Sequence, residues 1–134
     1  LKKPVGSPTS PKLKEIAGKP FAFPKNDRKI ESLTIESNGG DDFEIITRID
    51  GRDERLTVGV VDWKPGILDS VRSGRAKTQA FGRWTSDEEL KVKFAWVETP
   101  FVQTLTFKFE GDKVTFDSES NVRAKDPTLV GKRN

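Results

Sequence analysis

Between Phe81 and Asn121 apolar residues recur at every second position. Leu90, Val92, Phe94 and Trp96 alternate with Lys91, Lys93 and Ala95. After Glu98-Thr99-Pro100 the alternation resumes with Phe101, Leu105, Phe107 and Phe109, and after Glu110-Gly111-Asp112 with Val114 and Phe116. A period of two sends successive side chains to opposite faces, so each stretch predicts a β-strand. The short polar breaks make the three strands an antiparallel meander. One face is apolar and the other charged, as in a sheet with a core on one side and water on the other.

Upstream the same reading continues. Ile16–Pro24 predicts a first strand with Phe21 and Phe23 on one face. Pro20 and Pro24 lack N–H donors, which suits an edge or a partly paired segment. Further strands are expected over about Lys29–Glu36 (Leu33 and Ile35 inward), Phe43–Ile49 (Phe43, Ile45 and Ile49 inward), Arg55–Val61 (Leu56, Val58 and Val60 inward) and Lys77–Thr85. Ser37-Asn38-Gly39-Gly40-Asp41 and Asp50-Gly51 are turn signals, because Asn, Asp and Gly tolerate positive φ. Asp62–Arg75, with Pro65-Gly66, breaks the period and predicts a loop holding one helical turn over Ile67–Val71. Trp63 and Leu68 in that loop either plug a barrel end or belong to a binding loop. Leu129-Val130 adds a short closing strand or frays.

The sum is an all-β chain with about eight short strands and no long helix. Short connections exclude parallel crossovers, so the expected architecture is a single small antiparallel up-and-down barrel, lipocalin-like, over residues 16–134. A two-sheet sandwich shares this signature and is the alternative. Residues 1–15, with Pro4, Gly6, Pro8 and Pro11 among Ser, Thr and Lys, read as a solvated Pro-rich linker or flexible N-terminus. A linker of this kind suggests a piece cut from a longer protein.

Composition narrows the chemistry. The chain has 134 residues and a net charge of +3, with its 24 basic and 21 acidic residues interspersed. It therefore lacks the basic stripe of a nucleic-acid binder, and no nucleic-acid partner is expected. No apolar run reaches the length of a membrane-spanning helix. Cys and His are absent, which removes disulfides, thiolate or imidazole metal sites and histidine-based catalysis. Met and Tyr are absent as well; chance and a redesigned chain both account for that. Asp117, Glu119 and Asn121 share one strand face and offer oxygens to calcium, but no EF-hand loop surrounds them. No Ser-x-x-Lys, Gly-x-Ser-x-Gly or phosphate-loop pattern occurs. The expectation is a non-enzyme without a cofactor.

The remaining candidate is the barrel interior. Trp84, Phe94, Trp96, Phe101 and Phe107 point inward by the alternation, together with the one polar residue in their register, Gln103. They either fill a core or line a pocket for a small hydrophobic ligand. A buried amide needs partners or water, so Gln103 marks a wet cavity or the barrel rim.

One resemblance rests on particular residues. Gly82-Arg83-Trp84-Thr85-Ser86-Asp87, Val92-Lys93-Phe94, Glu98-Thr99-Pro100-Phe101, Leu105-Thr106-Phe107-Lys108-Phe109 and Thr115-Phe116-Asp117-Ser118 resemble the small β-barrel found C-terminal to serine β-lactamase-like hydrolases, a group of class C-type β-lactamases, penicillin-binding proteins and esterases. Ile16-Ala17-Gly18-Lys19-Pro20-Phe21 looks like that barrel's first strand. The resemblance implies a non-catalytic accessory domain of a periplasmic or extracellular enzyme. Its partner would be the hydrolase catalytic domain, which carries the catalytic serine and lysine; nothing here matches those residues. The alternatives are a free-standing lipocalin-like binder and an engineered scaffold without ligand.

Overall fold

The computed structural model describes residues 2–37, 42–70, 74–99, 101–121 and 125–133. Ten strands form one antiparallel sheet: β1 (Phe21–Ala22), β2 (Ile30–Ser37), β3 (Phe43–Ile49), β4 (Arg52–Val58), β5 (Lys64–Ser70), β6 (Gly74–Trp84), β7 (Glu89–Trp96), β8 (Val102–Glu110), β9 (Lys113–Ser120) and β10 (Leu129–Lys132). Their order is β4-β3-β2-β1-β10-β9-β8-β7-β6-β5, so each strand pairs with its neighbour in the chain except where β1 joins β10 and where β4 meets β5. A single sheet rolled onto its apolar face makes a nearly closed, lipocalin-like barrel and rules out the sandwich.

The strand count corrects the expectation of about eight. Lys64–Ser70 is a strand, not a loop with a helical turn at Ile67–Val71; Val71 itself lies outside the described residues. Pro65-Gly66 fits because β5 pairs with β6 and not with β4, so the missing Pro N–H costs no ladder bond on an edge. Leu129–Lys132 adds the tenth, bridging β9 and β1. The first strand shrinks to two residues between its flanking prolines. The turn expected at Ser37–Asp41 lies, beyond Ser37, outside the described residues.

Turn chemistry explains the hairpins. Asp50 and Gly51 take φ of 49° and 80° between the paired residues Ile49 and Arg52. Two positive φ values in a two-residue loop are the type I′ geometry that matches strand twist. In the β6–β7 turn the Ser86 hydroxyl accepts the N–H groups of Glu88 and Glu89 at 3.3 and 3.1 Å.

The Pro-rich segment is not solvated throughout. Lys12–Ile16 forms a short helix, α1, with Leu13 and Ile16 buried three residues apart. The Ser10 hydroxyl accepts the Lys12 N–H and donates to the Asp87 carbonyl. Spacing of three puts both apolar side chains on one face, and that face caps the barrel end formed by Ile35 and the β6–β7 turn. Ahead of α1, residues 3–7 form a strap. Ser7 and Trp84 exchange two backbone bonds of 2.7 Å. Gly6 is required there, because a Cβ would lie 2.2 Å from the Trp84 carbonyl oxygen. Lys3 pairs with Asp62 at 3.0 Å and lies over the Phe81 ring. The Arg83 guanidinium donates to the carbonyls of Gly6 and Val60.

Ile16 is completely buried, so Ile16→Ala should lower unfolding free energy by about 2–5 kcal/mol in urea denaturation. Val5→Ala, at an exposed position of the strap, should change it by less than about 0.5 kcal/mol. Equal small effects would return the segment to a linker. The hydrogen bond from Lys3, then the Trp63 N–H and the Lys3 charge, hold the Asp62 carboxyl below its usual range. A depressed pKa adds stability above the unfolded value that disappears as pH falls through the folded one. Strap docking should therefore weaken below about pH 4. Hydrogen exchange at the Ser7 amide, corrected for its intrinsic rate, should report this, and Asp62→Asn should abolish the dependence.

Candidate functional site

Inward positions along the barrel have two different fates. At the α1 end the interior is solid. Trp84, Phe21, Phe43, Phe107, Phe109 and Leu90 are fully buried. Phe107 stacks on Phe116 at 5.0 Å and 9°, and Trp84 tilts against Phe109 at 6.0 Å. Gly82 makes room for this packing, since a Cβ there would lie 2.9 Å from Val58 and 3.2 Å from the Phe43 ring. At the other end the inward residues of β6 are Ala80, Thr78 and Ala76, which are too small to fill the centre. A cavity of about 630 Å³ opens there.

Three groups of residues line it. Phe94 and Trp96 on β7 and Phe101 just before β8 form an aromatic wall, with ring centroids 5.2 Å (Phe94–Trp96) and 4.6 Å (Trp96–Phe101) apart. Ile30, Ile49 and Leu68 form an aliphatic wall. The polar lining is Arg28, Glu54, Ser70, Thr99, Gln103 and Asp126. The Arg28 guanidinium sits 5.2 Å from the Phe116 ring centre and 4.0 Å from the Asp126 carboxylate. The Gln103 amide N–H donates to the Ser118 hydroxyl at 2.5 Å, and Ser118 is itself buried. The backbone N–H of Asp126 donates to the Ser118 carbonyl, which fixes that acid near Gln103.

Of the interior residues expected from the sequence, Phe94, Trp96, Phe101 and Gln103 come together on this cavity. Trp84 and Phe107 also point inward but belong to the packed end, away from the cavity. The Trp84 indole N–H finds no acceptor there. The alternation missed Ile30 because β2 carries a bulge. Ile30 pairs with Ile49 and Ser32 with Arg48, so one extra residue turns Ile30 to the same side as Leu33. Arg28 and Asp126 lie in irregular segments where no period exists to read. Leu68 is hidden by Pro65-Gly66, a dipeptide that reads as a turn.

Outside the barrel, Asp117 pairs with Lys125 at 3.3 Å and accepts the Thr128 hydroxyl. The side-chain oxygen of Asn121 accepts the Val102 N–H. Among the described residues no three metal-capable side chains cluster. Among the described residues no helix is long and apolar enough to cross a membrane.

These features define the class: a ten-stranded, lipocalin-like antiparallel barrel, packed at one end and hollow at the other. No protein-family model matches the chain, and no curated protein does. Among solved structures the chain is similar to human cRBP IV, with a TM-score of 0.53 and 20% identity over 77% of this chain and 71% of that one. At that identity the likeness establishes the fold.

The Gln103–Ser118 bond is part-buried, so Gln103→Leu leaves the Ser118 hydroxyl without its partner. It should cost about 1–3 kcal/mol in chemical denaturation. Adding Ser118→Ala should restore part of that loss, because the stranded hydroxyl is then gone. Strictly additive losses would show that the two side chains are uncoupled.

Proposed function

We propose that the chain is a non-catalytic binder that holds a small hydrophobic ligand in the hollow end of the barrel. The observation that carries this reading is the cavity itself. Its volume of about 630 Å³ lies within the range of about 300–1,000 Å³ usual for ligand pockets. Its lining combines aromatic and aliphatic side chains with polar ones. The similarity in fold to human cRBP IV supports a free-standing binder.

Titration with the neutral fluorophore N-phenyl-1-naphthylamine tests it. Saturable binding, accompanied by quenching of Trp96 emission, is the expected result. Ala76→Trp, which places a large ring in the cavity, should weaken binding at least about tenfold. Phe107→Leu, in the packed end, should leave it within about twofold. A linear titration up to the solubility limit of the probe overturns the reading.

A second reading treats the barrel as an accessory module beside a serine β-lactamase-like catalytic domain, in the periplasm or outside the cell. It rests on the sequence resemblance and on one surface feature. Val5 on the strap and Val61 after β4 are 89% and 73% exposed on segments joined by the Lys3–Asp62 pair, an apolar spot suited to a neighbouring domain. Both readings assign no turnover to this chain. Hydrolysis of nitrocefin or p-nitrophenyl butyrate by the pure protein above the buffer rate contradicts both.

A further inference from the structure

We infer that the outer face of β7, β8 and β9 docks on the same face of a second copy of this chain, forming a two-fold dimer whose axis runs along β8. The inference concerns the outside of the barrel and does not depend on what the cavity holds.

Strand register builds this surface. β8 lies between β7 and β9, and its outward side chains are Val102, Thr104 and Thr106, with Lys108 at the far end. In one cross-strand row Lys93 of β7, Thr104 and Glu119 of β9 stand side by side. In the next row stand Lys91, Thr106 and Asp117. Cations therefore occupy one flank, carboxylates the other, and uncharged side chains the line between. Glu119 is exposed, and Lys91, Lys93, Val102, Thr104 and Thr106 are half-buried. A groove of about 250 Å³ lies over the two rows, with Lys91, Thr104, Thr106, Asp117 and Glu119 in its lining. Two strand spacings, about 10 Å, hold the opposite charges of each row apart. Asp117 pairs with Lys125 at 3.3 Å; no ion pair among the described residues involves Lys91, Lys93 or Glu119.

A half-turn about an axis along β8 turns this face over and exchanges its flanks. Lys93 then lies opposite Glu119 of the second copy, and Lys91 opposite Asp117. The heights match because each pair shares a row, and the symmetry makes every contact twice. Val102, Thr104 and Thr106 meet their own counterparts on the axis, a neutral centre between charged flanks. Sheets packed face to face keep their strands within about 30° of each other, which an axis along the strand allows. Lys108 also meets its counterpart, and Glu89, its neighbour in register on β7, offsets that charge. An anionic lipid or an acidic protein would engage the lysine flank and repel Glu119. A second copy uses both flanks, which selects it as the occupant. An interface of three strands with charged flanks makes the dimer weak and sensitive to salt.

Sedimentation velocity on the whole chain, at concentrations up to about 1 mM, tests the inference. At about 20 mM NaCl a monomer–dimer equilibrium is expected, with a Kd that rises at least about tenfold by about 300 mM NaCl. Lys93→Glu and Glu119→Lys should each weaken the dimer at least about tenfold, since each sets like charges across the interface. Mixed in equal amounts, the two variants should recover a heterodimer within about threefold of the parent affinity, because every facing pair is again of opposite sign. If Lys93→Glu does not fold, Thr104→Arg, which sets a cation against its own counterpart on the axis, should weaken the dimer to the same degree. A chain that stays monomeric throughout overturns the inference. So does a dimer that the substitutions leave intact, a mixture that recovers nothing, or open-ended association, which a closed two-fold contact forbids. Binding of a monomeric chain to phosphatidylglycerol vesicles, lost in Lys93→Glu, would assign the face to a lipid surface and overturn it as well.

Discussion

Closure of the barrel depends on aromatic packing across two thin backbone joints. At the first, β1 contributes two residues: Phe21 and Ala22 pair with β2, and Ala22 alone pairs with Lys132 of β10. So short a ladder cannot hold two halves of a sheet together. What crosses it is the Phe21 ring against Phe109 at 5.6 Å and the Phe23 ring against Phe116 at 6.5 Å. Gly131 belongs to the same arrangement, since a Cβ there would lie 2.9 Å from the Phe23 ring. At the second joint, Gly59 pairs in parallel with Phe81 of β6, donating to the Ala80 carbonyl and accepting the Gly82 N–H. Rings filling the packed end make both joints durable. Burying a phenylalanine side chain is worth about 1.5–3 kcal/mol, more than the roughly 0.5–1.5 kcal/mol net of one backbone hydrogen bond.

The same packing accounts for the hollow end. Side chains of one strand face share a direction and differ in depth. On β6 the inward series from the closed end is Trp84, Gly82, Ala80, Thr78 and Ala76, a single large ring followed by small residues. On β7 the series is Leu90, Val92, Phe94 and Trp96, so the large rings lie toward the mouth. The register pairs Ala80 with Phe94 and Thr78 with Trp96, small against large. The rings at the mouth therefore stand against a wall with no bulk to meet them, and the space between is the cavity. A solid core at one end and a pocket at the other follow from where volume is placed along two neighbouring strands.

Much of this was legible in the chain and some was not, for physical reasons that differ by residue. The three strands from Leu90 to Phe116 and the Asp50-Gly51 hairpin were plain, because a period of two and a dipeptide that accepts positive φ are local properties. Depth was not plain. Trp84 and Phe94 have the same inward parity, and periodicity carries no coordinate along the barrel axis. Ile30 was hidden by a bulge that inverts parity. β5 was hidden by Pro65-Gly66, which signals a turn unless the strand is known to lie at a seam. Leu13 and Ile16 were hidden by the surrounding prolines, since two buried positions are too few to set a helical period. Arg28 and Asp126 meet only through the tertiary fold, from segments nearly a hundred residues apart.

The seam between β4 and β5 is where the hollow end differs mechanically from the packed one. Near the closed end Gly59 stitches the chain after β4 directly to β6. Toward the mouth β4 and β5 are neighbours without a backbone ladder between them, and Glu54 on one side and Leu68 and Ser70 on the other line the cavity. Arg52 and Asp69 face each other across this stretch at 4.0 Å with both side chains more than half exposed. Exposed ion pairs of that kind contribute about 0–1 kcal/mol. Separating the two strands here therefore breaks no ladder bonds, whereas widening the barrel at any paired junction breaks several. The aromatic pair Phe94 and Trp96 stands on β7, which is paired on both sides by β6 and β8.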